Sequence, residues 1–108
     1  MARGARRFDI YLPLCFNDGG VIPEDWFIRF EQGLLARFGG ITTHERGQPL
    51  RGIWQGRGKQ YQDQVIVVTV VDFRPRGSAR FIAQLKRELL QSLDQLEILI
   101  TESALRVH

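Results

Sequence analysis

Seven consecutive residues, Val65–Ile66–Val67–Val68–Thr69–Val70–Val71, read as a strand that is apolar on both faces. Side chains alternate along a strand, so a sheet with one wet face shows an apolar–polar rhythm. Here Val65, Val67 and Val71 fall on one face and Ile66, Val68 and Val70 on the other. In a chain of 108 residues the helices have room to cover one face only. The second face needs another cover, and a second copy of the chain is the simplest one. Tyr11, Ile66, Val68 and Val70 are accordingly assigned to a dimer face, and a homodimer is expected. Alternation alone leaves open which set of residues meets the helices.

The strand order follows from the flanking segments. Phe8–Leu14 reads as a strand with Phe8, Ile10, Leu12 and Leu14 on one side and Asp9, Tyr11 and Pro13 on the other. The Asn17–Asp18–Gly19–Gly20 run is loop chemistry, because these residues tolerate left-handed backbone. Pro23 suits a first helical position, and Glu24 and Asp25 favour the helix dipole. Phe27, Phe30, Leu34 and Phe38 make one apolar stripe, which Gly39–Gly40 terminate. Ile41–Trp54 reads as a second strand interrupted near Pro49, whose missing N–H points to an edge or a bulge. After the valine-rich strand, Ser78 is the expected N-cap of a second helix. Its buried stripe is Ile82, Leu85, Leu89, Leu93 and Leu96, and Leu96–Ile100 is the expected last strand.

Strand–helix–strand–strand–helix–strand with right-handed crossovers is the ferredoxin-like βαββαβ plan, an α+β fold. It predicts a four-stranded antiparallel sheet in the order 4-1-3-2, with both helices on one face. One domain over residues 8–108 is expected, preceded by a basic arm at residues 1–7.

Charge and cysteine content narrow the setting. The net charge of +3 comes from 15 basic against 12 acidic residues, and Arg3, Arg6 and Arg7 account for the excess. Cys15 is the single cysteine, which excludes an internal disulfide, and it reads as a small buried apolar residue. Neither a signal-peptide run nor a bilayer-spanning segment is present, so a cytoplasmic location without membrane contact is expected.

The segments F-G-G-I-T (38–42), G-I-W (52–54), D-x-V-I-V (63–67) and L-x-Q-L-E-I-L-I (93–100) resemble a group of small uncharacterised bacterial proteins with a ferredoxin-like domain. More broadly, the pattern is similar to dimeric α+β barrel proteins, in which two such sheets pack face to face around a cavity. The resemblance implies the fold and offers no catalytic residue.

Chemistry-bearing residues are sparse. Arg74, Arg76 and Arg80 surround Gly77–Ser78 at a helix start, where free N–H groups favour anions. Topology brings Arg3, Arg6 and Arg7 to the same end, so these six arginines form a candidate anion-binding group; a hydrated loop has the same composition. Arg51, Arg57 and Lys59, flanked by Trp54 and Tyr61, decorate the hairpin between the middle strands, either to grip a partner or simply as a solvated turn. RNA-recognition domains share the strand order and stack bases on aromatics of the first and third strands. Tyr11 fits that pattern, but the third strand offers valines. His44 beside Asp9 or Tyr11 would suit acid–base chemistry inside a dimeric barrel, against a plain surface role. No metal site and no cofactor are expected.

These readings favour a non-catalytic binding or assembly module whose arginine-rich end meets an acidic protein partner or nucleic acid. The alternative is a small dimeric α+β barrel enzyme acting on an apolar small molecule. A sequence-independent nucleic-acid-binding protein comes third.

Overall fold

The computed structural model describes residues 2–108. β1 (Arg3–Pro13) leads through α1 (Glu24–Phe38) to a short β2 (Thr42–Thr43) and β3 (Leu50–Gly56). A tight turn then enters β4 (Lys59–Asp72), and α2 (Ser78–Ser92) connects it to β5 (Ile100–Val107). The sheet runs β2-β4-β1-β5, with β3 pairing farther along β4. Every pairing is antiparallel. β2 and β3 are two halves of one interrupted strand, so the order is the 4-1-3-2 of a ferredoxin-like α+β fold.

The interruption around Pro49 is held by side chains. Where the chain leaves β4, His44 Nδ1 accepts the N–H of Val67 at 3.4 Å. Arg46 ties the same segment to α1 through Glu31 (2.9 Å) and Glu24 (3.1 Å), with its guanidinium 5.2 Å from the centre of the Phe27 ring. α1 begins after Pro23, which sits at the cap position with extended backbone, and ends where Gly39 adopts φ 81° and donates to Leu35.

The core lies between the helices and the even-numbered side chains of the two central strands. Phe8, Ile10 and Leu12 of β1 meet Ile66, Val68 and Val70 of β4, covered by Phe27 and Leu34 of α1, Leu89 of α2 and Leu93 at the α2 C-cap. This corrects the assignment of Ile66, Val68 and Val70 to a dimer face. They are at most 1% exposed within a single chain. Of that group only Tyr11 lies on the helix-free face, together with Val67 and Val71.

Three boundaries also differ from expectation. Residues 3–7 are the first half of β1, not a free arm, because β5 continues alongside them from Ser103 to Val107. β5 itself starts at Ile100, the final residue of the expected last strand, and runs on to Val107. The apolar Leu96–Leu99 run is a connection that plugs Ile98 into the core and leaves Leu96 94% exposed. An edge strand with one neighbour tolerates the polar sequence T-E-S-A-L-R-V, so apolar density misplaced it. Ser78 is the first helical residue, with Gly77 at the cap position. Among the described residues, no helix is long and apolar enough to cross a membrane.

The α2–β5 connection is anchored by charge. Glu97 Oε1 accepts from Lys86 Nζ at 2.8 Å and from the N–H of Ile98 at 2.9 Å. The Lys86 contact, then the Ile98 N–H, holds the Glu97 carboxyl below the usual carboxylate range. A lowered folded-state pKa contributes stability above the unfolded pKa, and that contribution is lost as pH falls through the folded value. Lys86→Gln should therefore move the Glu97 titration upward, as followed by NMR, and lessen the acid-side loss of stability. Ile66→Ala should cost about 2–5 kcal/mol in denaturant unfolding. Val67→Ala, on the opposite face, should cost about 1 kcal/mol or less. The reverse order would place the core on the wrong side of the sheet.

Candidate functional site

The helix-free face carries a polar row bordered on β4 by Val67 and Val71. Register sets Thr42 opposite Thr69, Thr69 opposite Asp9, and Asp9 opposite Thr101, so the row spans all four strand positions. Thr69 is the single polar residue in the 65–71 run. Its hydroxyl donates to Asp9 Oδ1 at 2.6 Å, and Arg7 Nε donates to the same oxygen at 3.1 Å. The Asp9 side chain is 18% exposed. Among the described residues no donor reaches its second oxygen, Oδ2. The carboxylate is thus fixed through one oxygen and open through the other.

Beside this row lies a cleft of about 390 Å³, lined by Phe38–Thr42 on one side and Thr69, Val71 and Phe73 on the other. It shares Thr42 and Thr69 with the polar row. The Arg3 guanidinium stands 4.0 Å over the Phe73 ring at its end. The cleft therefore combines aromatic and aliphatic walls, two hydroxyls and the backbone of Gly39–Gly40, with a carboxylate and two arginines close by.

The six arginines expected to bind an anion are divided between the two faces of β1 and the start of α2. Arg3 and Arg7 belong to the helix-free side of β1, and Arg6 to the other. Arg6 pairs with Glu102 at 3.2 Å, Arg7 with Asp9, and Arg3 with Phe73. Arg74, Arg76 and Arg80 are exposed around the start of α2. That helix start already holds a carboxylate of its own. Buried Asp72 accepts the N–H of Arg74 at 2.8 Å through Oδ1 and the hydroxyl of Ser78 through Oδ2.

His44 serves the sheet edge and makes no hydrogen bond to Asp9 or Tyr11. Cys15, expected to be buried, is exposed. No group of three metal-ligating side chains gathers among the described residues. The Asp9–Thr69 pair escaped the sequence reading. Its signal was Thr69 as the one polar residue of the 65–71 run, together with Asp9 at the phase opposite Phe8, Ile10 and Leu12, but joining them requires the register. Removing the Asp72 cap should loosen α2: Asp72→Ala is expected to cost about 2 kcal/mol in thermal unfolding. Faster amide exchange at residues 78–81 would locate the loss.

No family model and no curated protein sequence matches the chain. A solved structure does: a phage SAM lyase in complex with S-methyl-5'-thioadenosine. The TM-score is 0.64 over 97% of this chain and 90% of that one, at 12% identity. At that identity the likeness is one of fold. It nevertheless corrects the reading as a non-catalytic binding or assembly module, since the protein sharing this fold over nearly its whole length is an enzyme.

Proposed function

We propose that the chain is a small enzyme that binds a sulfonium nucleoside of the S-adenosylmethionine class on its helix-free face and releases S-methyl-5'-thioadenosine. The observation that carries this reading is Asp9, held through Oδ1 by Thr69 and Arg7 with Oδ2 left to accept. The substrate's α-ammonium is a charged donor suited to that oxygen. The neighbouring cleft matches the other end of such a molecule. Phe38 and Phe73 offer surfaces for a purine, and Thr42 and Thr69 offer hydroxyls to the ribose. The ligand and reaction class named for the structural neighbour support the same choice.

The chemistry asks little of the protein beyond placement. The bond between sulfur and the amino-acid side chain breaks, and its electron pair passes to sulfur. The carbon so released is captured by the substrate's own carboxylate, closing a lactone while S-methyl-5'-thioadenosine departs. A positive and a negative charge cancel, with no water consumed and no proton transferred. Charge cancellation is favoured where the surroundings are apolar, as Val67, Val71 and Tyr11 make them here. An elimination route would need a further base, because Asp9 Oδ2 is taken up by the α-ammonium in this reading.

Purified protein incubated with S-adenosylmethionine should accumulate S-methyl-5'-thioadenosine and homoserine lactone, identified by chromatography and mass spectrometry. Asp9→Asn should lower kcat/KM by roughly ten- to a hundredfold, the size of one charge-assisted hydrogen bond, without changing the fold. Folded wild-type protein that forms no thioadenosine above a protein-free control would overturn the reading.

A further inference from the structure

Charge is divided unevenly along the molecule. Antiparallel register gathers the start of β1, the end of β4 and the end of β5 at one end of the sheet. The helices add the last turn of α1 and the first turn of α2, joined where the Phe38 and Phe81 rings meet at 5.5 Å. Eight of the 15 basic residues lie at this end, against only Asp72 and Glu102 of the 12 acidic ones. All eight are arginines, and all are exposed. The remainder of the chain carries seven basic and ten acidic residues, so the sign of the charge reverses along the molecule.

Most of these arginines have nothing to neutralise them. Arg6 pairs with Glu102, and Arg7 with Asp9. Asp72 is buried and already accepts from the Arg74 N–H and the Ser78 hydroxyl. Among the described residues, no carboxylate lies within ion-pair distance of Arg3, Arg37, Arg74, Arg76, Arg80 or Arg106. Two of the six are stacked on aromatic rings, Arg3 at 4.0 Å over Phe73 and Arg37 at 4.5 Å over Phe81. A guanidinium laid on a ring keeps its in-plane N–H donors free.

We infer that this end is a binding surface for the phosphate backbone of duplex nucleic acid. Arginine presents a planar fork that meets phosphate oxygens in two-point contacts, and the two lysines, Lys59 and Lys86, both lie elsewhere. An interface with another protein needs an apolar centre inside its polar rim. Here Phe73 and Phe81 lie beneath guanidinium groups, so charge is presented without such a centre. The same cover removes the free ring faces on which unpaired bases stack, which favours a duplex over a single strand. Contacts confined to phosphates carry no base information, so binding is independent of sequence. The surface does not rest on the reaction proposed above.

Fluorescence anisotropy with a labelled duplex of two helical turns tests it in wild-type protein. Raising salt from about 50 to about 200 mM should weaken binding roughly a hundredfold, the dependence expected of about four phosphate contacts. A single strand of the same length and labelled polyglutamate should each bind at least about tenfold more weakly. Arg74→Gln, Arg76→Gln and Arg80→Gln combined should weaken duplex binding by about tenfold or more and flatten its salt dependence. The same charge change on the hairpin, Arg51→Gln, Arg57→Gln and Lys59→Gln, should cost less than about threefold. Equal losses from the two sets would reduce the effect to diffuse attraction and overturn the surface. Polyglutamate bound as tightly as the duplex would make an acidic protein the partner, and a single strand bound as tightly would make the bases the contact. Either result overturns the inference, as does the absence of duplex binding at low salt. The wild-type arms need no substitution and decide the matter even where a variant fails to fold. Turnover of S-adenosylmethionine is a separate readout, so an inactive protein leaves this result standing.

Discussion

The antiparallel pairing of β1 with β4 is the constraint on which the rest of the structure depends. β4 is bordered by β1 on one side and by β2 and β3 on the other, so only β5 attaches elsewhere. Its register against β1 is fixed by the core, because Ile66, Val68 and Val70 must meet Phe8, Ile10 and Leu12 beneath the helices. A one-residue slip would reverse the faces and expose the whole set. The same parity necessarily turns Thr69 and Asp9 outward and sets them side by side. Core packing thus places the polar row, which needs no independent device to assemble it.

The surrounding contacts hold charge close to that frame. Arg46 joins the interruption between β2 and β3 to α1 by two carboxylates and an aromatic ring, and His44 supplies the acceptor that the broken strand cannot. Asp72 closes the start of α2 from the end of β4. These ties make the Gly39–Thr43 segment a fixed wall for the cleft despite its two ladder residues.

Much of this was legible in the chain. The strand and helix order, the split in the second strand at Pro49 and the two faces of β4 follow from periodicity and proline chemistry. The choice of face was not legible, because Val65, Val67 and Val71 are as apolar as Ile66, Val68 and Val70. Local density also misled at Leu96–Leu99, where an apolar run serves a buried loop, while the amphipathic edge strand after it carries polar residues. Ser78 looked like a cap by composition, yet its hydroxyl donates to a carboxylate six residues earlier. The candidate site was hidden for a related reason. Asp9 and Thr69 are 60 residues apart, and only strand register makes them neighbours.

The length of β4 separates two surfaces on one face of the sheet. Its Tyr61 end carries an aromatic pair, with Trp54 laid over Gly52 and anchored by Asp63, and its Val71 end carries the cleft and the fixed carboxylate. Ten residues of strand rise put these ends roughly 33 Å apart, so the aromatic pair stands clear of the cleft of its own chain. One side of the valine-rich run is accounted for by the helices, which bury Ile66, Val68 and Val70. On the other side Val67 and Val71 flank the Thr69–Asp9 pair, so apolar side chains border the one buried-edge carboxylate held by a hydroxyl and a guanidinium.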